Sequence, residues 1–108
     1  MGNYLGALEE IVLLSIGILG EQAYGVSIQT EIDQRTGHKH SMGALHSTLS
    51  RLEGKGMIRS QMGGATAERG GRRKRFFQLT ASGEAALLEA KQLRENFWSS
   101  FPGWALDT

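Results

Sequence analysis

The chain has 108 residues and an apolar fraction of 40 %, enough for one domain with a modest core, or one domain plus an appendage. It contains no cysteine, which excludes disulfides, thiolate zinc sites and thiol nucleophiles. The net charge of +1 conceals a partition: between Arg35 and Arg75 ten basic residues face two acidic ones, a net +8, while the flanks carry −7.

A cationic middle between acidic ends attracts a polyanion, and release of the polyanion's condensed counterions drives such binding. The first ten residues carry no Lys or Arg, unlike the start of a signal peptide. The apolar run Ile11–Leu19 falls short of the roughly 20 residues a membrane-spanning helix needs. The expectation is a soluble, cytoplasmic protein with no membrane contact.

Leu5 to Leu19 reads as a first helix. Its apolar residues from Ile11 onward cover most of the circumference, so both sides should be buried. One small chain rarely covers both sides of a helix, which points to a partner subunit. Gly20 ends it. A second helix runs from Tyr24 to Arg35, with Tyr24, Ile28 and Ile32 on one face and Gly37 as its C-terminal cap.

Ser41 is a good N-cap for a third helix, Met42 to about Lys55. Leu45, Leu49 and Leu52 form its single apolar stripe. Gly43, Ser47, Ser50 and Gly54 lie opposite, with His46 and Arg51 on the shoulders and Lys55 beside the stripe near the helix end. A solvated face usually mixes Glu and Lys; this one is slim and hydroxylated, flanked by cationic groups. Met57–Gln61 and Arg72 or Arg73–Leu79 read as two strands of a hairpin, joined by a long glycine-rich tip over residues 62–71. Thr80 caps a last helix, Ala81 to about Phe101, which Pro102 and Gly103 end. Along it Ala86, Ala90, Leu93, Phe97, Ser100 and Trp104 make a heptad-like seam.

The fold class that follows is mainly α with a small β-hairpin. It is a winged helix-turn-helix over residues 1–80, followed by a long C-terminal dimerisation helix and tail over 81–108. A helix enters the major groove when its outward face is narrow and a second helix braces it. Gly43, Ser47 and Ser50 make that face slim, and Arg51 is placed to fork onto a guanine or a phosphate. Ser41 and the amides after it, with Lys39, His46 and Lys55, are further DNA-contact candidates. Arg72, Arg73 and Lys74 of the hairpin complete the set by straddling an adjacent backbone. Strand alternation puts Arg73 and Arg75 opposite Lys74 and Phe76, so the four cations do not act together.

His38, His40 and His46 invite a metal reading, but no carboxylate or thiol lies near them in sequence, so neither metal nor cofactor is expected. Nor do the residues offer paired carboxylates, a nucleophile–base motif or a phosphate-cradling loop, so no catalytic role is expected. Leu8, Val12, Leu93, Phe97, Trp98 and Phe101 are candidates for the subunit interface. The last three also offer an apolar pocket between subunits for a small aromatic or cationic effector, with plain interface packing as the simpler reading. Two other classes stay open: a sequence-indifferent or architectural nucleic-acid-binding protein, and a module whose basic face meets an acidic protein.

Three ordered blocks are recognisable. The first is Leu5-Gly6-Ala7-Leu8-Glu9-Glu10-Ile11-Val12-Leu13-Leu14, followed by Ala23-Tyr24-Gly25. The second runs from Ser41-Met42-Gly43-Ala44-Leu45-His46 to Gly56-Met57-Ile58. The third runs from Glu68-Arg69-Gly70-Gly71 through Arg75-Phe76-Phe77 to Ser82-Gly83. Together they span Leu5 to Gly83, and the chain resembles the PadR-like transcriptional regulators in their short form, without an extra C-terminal domain. The resemblance implies a winged-helix repressor working as a homodimer on a palindromic double-stranded DNA operator, with the C-terminal helix supplying most of the dimer contact. This chain departs from the family pattern at His46, where tyrosine is usual, and at Phe76-Phe77, where tyrosines are usual. The first change replaces a phenolic contact to DNA with a titratable imidazole. The second removes hydroxyls from the wing but keeps its packing.

Overall fold

The computed structural model describes residues 4–63 and 73–103. Its order is α1 (Ala7–Leu19), a 3₁₀ turn (Gly20–Gln22), α2 (Gly25–Thr36), α3 (Met42–Gly54), β1 (Ile58–Met62), β2 (Arg75–Leu79) and α4 (Ala81–Ser100). The elements match the sequence reading, with ends moved by one or two residues. Tyr24 is the residue before α2 and not its first member, because its amide is taken by the Ser27 hydroxyl at 2.9 Å. The tip of the hairpin, Arg72 and Trp104 lie outside the described residues.

One core forms between the first three helices and the inner side of the hairpin. Val12, Leu13 and Ile16 of α1 meet Ile28 and Ile32 of α2 and Leu45, Leu49 and Leu52 of α3, all at most 2 % exposed. Side chains three and four apart share a helical face, so each set lies on the side its helix turns inward. The α2–α3 connection is short because Gly37 adopts the left-handed conformation, φ 76°, that ends α2. Ser41 then caps α3 by accepting from the Ala44 amide at 3.0 Å.

The strands pair antiparallel with Ile58 opposite Leu79, Ser60 opposite Phe77 and Met62 opposite Arg75. Ile58 and Phe77 are their core-facing residues. The ribbon is stitched to the body where the Phe77 amide donates to the Ala23 carbonyl at 2.9 Å and Tyr24 bridges to Phe76. Thr80 accepts from the Gly83 amide at 3.1 Å and donates to the Gly56 carbonyl at 2.6 Å, so α4 starts against the end of α3.

α4 then leaves the body. At 20 residues it is about 30 Å long, and every residue from Lys91 to Ser100 is exposed. α1 also keeps one side open: Leu14 and Ile18 are 46 % and 53 % exposed. The expected burial of α1 on both sides is therefore not achieved within one chain.

The docking point of α4 makes a sharp test. A Cβ at Gly83 would collide with the Met57 carbonyl oxygen, whereas one at Gly43 meets nothing within 4 Å. Gly83→Ala should cost about 1–3 kcal/mol in urea unfolding, the usual penalty of an overpacked site. Gly43→Ala should stabilise by about 0.5–1 kcal/mol through helix propensity. A Gly83→Ala protein of unchanged stability would show that α4 does not dock there.

Candidate nucleic-acid interface

The buried stripe of α3 dictates its outer surface. With Leu45, Thr48, Leu49 and Leu52 turned inward, Gly43, His46, Ser47 and Ser50 are exposed. Thr48 satisfies its hydroxyl on the Ala44 carbonyl, 3.0 Å away, and so enters the core without an unpaired polar group. The outward face carries no side chain longer than histidine, as a groove-entering helix requires.

The turn before α3 is held from behind. Asp33 Oδ1 accepts from the His40 amide at 3.0 Å and meets His40 Nδ1 at 2.9 Å, while Gln29 Nε2 donates to the His40 carbonyl at 2.8 Å. Lys39 and Ser41, on either side of His40, are thereby exposed at fixed positions. Sequence proximity gave His40 no carboxylate partner; α2 supplies one from a full seven residues upstream. Among the described residues no three His, Cys, Asp or Glu side chains converge on a metal position, and no helix is long and apolar enough to cross a membrane.

Between the start of α2, the outer side of α3 and the wing lies an open cleft of about 930 Å³, with Tyr24, His46, Ser50, Glu53 and Arg73–Arg75 among its walls. The described wing cations take different partners. Arg73 Nε donates to the Gly63 carbonyl at 2.9 Å, and Arg75 Nη1 donates to Ser60 Oγ at 3.0 Å. The Ser60 hydroxyl in turn donates to the Glu53 carboxylate at 2.9 Å, tying the wing to the end of α3. Lys74 instead lies over the Tyr24 ring, with Nζ 4.1 Å from the centroid. Lys74 and Phe76 both meet Tyr24, as strand alternation requires.

Arg51 and Lys55 are placed differently from the expectation of free DNA-facing arms. Both converge on Glu9 of α1, at 2.9 and 3.1 Å, with Glu9 itself 6 % exposed. Glu9 also accepts from the Gly6 amide at 2.9 Å, closing the first turn of α1. That amide holds the carboxyl down most; burial pushes it up; Arg51 and Lys55 lower it again, to about 2 from an ordinary 4.5. Nothing in the sequence pattern marks this pairing. A glutamate in the first turn of a helix reads as an ordinary dipole-satisfying acid, and only packing shows that it is buried opposite two cations 42 and 46 residues away.

The residues expected at a subunit interface divide. Leu93, Phe97, Trp98 and Phe101 are 40–70 % exposed at the far part of α4 and its end, and Leu8 is half-buried against the core. Val12 is corrected: it is fully buried in the single-chain core and has no surface to offer a partner. A groove of about 770 Å³ runs between the N-terminal segment and α4, lined by Tyr4, Leu93, Phe97, Trp98 and Phe101 among others. Beside it Arg94 forms a close pair with Glu10, its Nη2 2.6 Å from Oε1.

A slim helix braced across a shorter one, with a two-stranded wing beside it, defines a winged helix-turn-helix, the architecture of DNA-binding regulators. Residues 14–89 match the transcriptional regulator PadR-like family, and the chain belongs to that family. It is similar to a PadR-like transcription factor from Bacteroides fragilis, with a TM-score of 0.71 at 21 % identity over 86 % of this chain and 84 % of that one. A PadR-like regulator from Bacillus cereus gives 0.70 at 23 % over 88 % and 87 %. A PadR family regulator from Clostridium difficile gives 0.64 at 25 % over 82 % and 91 %. No curated protein matches the sequence.

Glu9 carries a pH signature. Its folded-state pKa is depressed, so its stabilisation is complete above the unfolded value of about 4.5 and is lost as pH falls towards 2. The Arg51 side chain is 50 % exposed, so solvent screening reduces that part of the effect. The loss should be on the order of 2–3 kcal/mol. Urea unfolding of the wild type at pH 6 and pH 3 should show somewhat over half of this drop, about 1–2 kcal/mol, since pH 3 still lies above the folded value of about 2, and Glu9→Gln should remove most of it. An equal drop in both proteins would place the acid sensitivity elsewhere.

Proposed function

We propose that the chain is a cytoplasmic, sequence-specific transcriptional repressor that binds a palindromic double-stranded DNA operator as a homodimer. The observation that carries this reading is the exposed face of α3, Gly43, His46, Ser47 and Ser50, lying beside the cations of the wing. In this reading residues 1–80 form the DNA-binding domain and 81–108 the dimerisation helix and tail. α3 lies in the major groove, with Ser47, Ser50 and His46 against base edges. Lys39, Ser41, Arg73 and Lys74 engage phosphates, together with Arg72 from outside the described residues. Arg51 and Lys55, with side chains 50 % and 33 % exposed, border the duplex from the shoulder of α3 and add positive field while holding Glu9.

The dimer is supported by the row of exposed apolar residues on α4 and by the open side of α1. A second copy burying that row sets two α3 helices about 34–36 Å apart, one turn of DNA. The aromatic-lined groove beside α4 is the place for a small aromatic or cationic effector, which regulates only by binding two arrangements of the dimer unequally.

Gel shifts against salt test the DNA reading. Log K should fall with log salt by about 0.9 per phosphate neutralised, and the footprint should cover a palindrome. Flat salt dependence overturns it, and an even footprint on any duplex indicates an architectural protein. Ser47→Ala and Ser50→Ala should cost about 1–3 kcal/mol on the selected site and little on random DNA, whereas Arg73→Ala should weaken both about equally. Phe97→Glu should yield a monomer in sedimentation equilibrium and weaken operator binding about tenfold or more, because each half-site is then bound alone.

A further inference from the structure

We infer that Tyr24 is a positioning residue for DNA binding: its ring face holds the Lys74 ammonium over the cleft between α3 and the wing, poised for a backbone phosphate of the duplex. This rests on the DNA-binding reading above and deepens it. The sequence pattern assigns Tyr24 to the apolar face of α2, yet it lies just before that helix and is only half-buried.

The ring is fixed from several sides. Ser27 Oγ accepts from the Tyr24 amide at 2.9 Å and donates to the Gln22 carbonyl at 2.5 Å, which sets the backbone entering α2. The β-bridge to Phe76 fixes the same residue against the wing. The Phe76 ring meets the Tyr24 ring edge-on, 5.6 Å between centroids at 75°. Lys74 is held as firmly at its backbone: its carbonyl accepts from the Gly63 amide at 2.6 Å, and a Cβ at Gly63 would strike the Phe76 ring.

Between these two anchored backbones lies a flexible lysine stem with its Nζ 4.1 Å from the ring centroid, well inside the range of a cation–π contact. Arg73 and Arg75 hydrogen-bond to Gly63 and Ser60, whereas the partner of the Lys74 ammonium among the described residues is a ring face. A ring face holds the charge without a hydrogen-bond acceptor, so the N–H groups turned away from the ring stay available to phosphate oxygens. Holding the stem before DNA arrives also reduces the rotamer freedom lost on binding. Tyr24, His46 and Ser50 line the same cleft, so the held charge lies beside the readout face of α3.

A double-mutant cycle on a random-sequence duplex at low salt tests the assignment. Tyr24→Leu should weaken binding by about two- to fivefold, the worth of an exposed cation–π contact, and should add nothing in a Lys74→Met background. Tyr24→Phe should bind like the wild type, because the ring and not the hydroxyl acts. An equal penalty for Tyr24→Leu in both backgrounds overturns the inference, since Tyr24 would then only pack; a loss in Tyr24→Phe also overturns it. The wild type gives an independent reading by NMR, where ring current should shift the Lys74 ε-methylene protons upfield of those of the other lysines; an ordinary shift overturns the inference even if the leucine variant does not fold. Additive variants in a protein that binds DNA reject this inference alone. A wild type that binds no duplex rejects the DNA reading with it.

Discussion

The roll of α3 about its own axis is the constraint on which the molecule depends. Its stripe is one residue wide, and Leu45, Leu49 and Leu52 are each worth about 1.5–3 kcal/mol when buried. Turning the helix by one position, about 100°, would expose that stripe and drive His46 or, in the other sense, Arg51 toward the core. The exposed polar face of α3 is therefore a by-product of packing, and its polarity needs no separate stabilisation. Glu9 adds a second restraint, because a buried carboxylate with two cationic partners on α3 allows little rotation. Breaking one side of such an arrangement leaves charge buried and unpaired.

The acidic flanks also gain a structural meaning. Glu9 and Glu10 are adjacent on α1, so their side chains diverge by about 100°. One reaches Arg51 and Lys55 of α3, the other Arg94 of α4. α3 and the helix that leaves the body are thus both referenced to the first turn of α1. The Glu10–Arg94 pair is exposed on the arginine side, 57 %, and contributes orientation more than stability. Glu9 contributes both.

The departures from the family pattern have local explanations. Phe77 is 5 % exposed, a position where a tyrosine hydroxyl would need a buried partner. Phe76 sets its ring edge-on to Tyr24, a contact that requires only the ring. His46 is exposed and lines the open cleft, so an imidazole there meets solvent and whatever occupies the cleft. Similarity to solved relatives at 21–25 % identity is enough for the fold, since burial pattern and turn chemistry survive where individual residues do not.

Much was legible in the chain itself. Periodicity placed all four helices and both strands, because each apolar stripe has one inward direction. Ser41, Gly37 and Thr80 marked ends through backbone chemistry that is local by nature, and the charge partition with the serine face of α3 pointed to a polyanion. What local pattern could not give were pairings between side chains of different elements. Glu9 with Arg51, Asp33 with His40, and Tyr24 with Lys74 involve residue types common on any surface, and nothing in their spacing marks them as partners. Val12 was placed at the interface for the same reason: a stripe shows that a residue is buried, not against which neighbour. Sequence therefore determined which faces are apolar and where elements begin and end, which are short-range properties. Only the tertiary structure decided which charges neutralise one another and which stay available to a ligand, because that depends on distances set by packing.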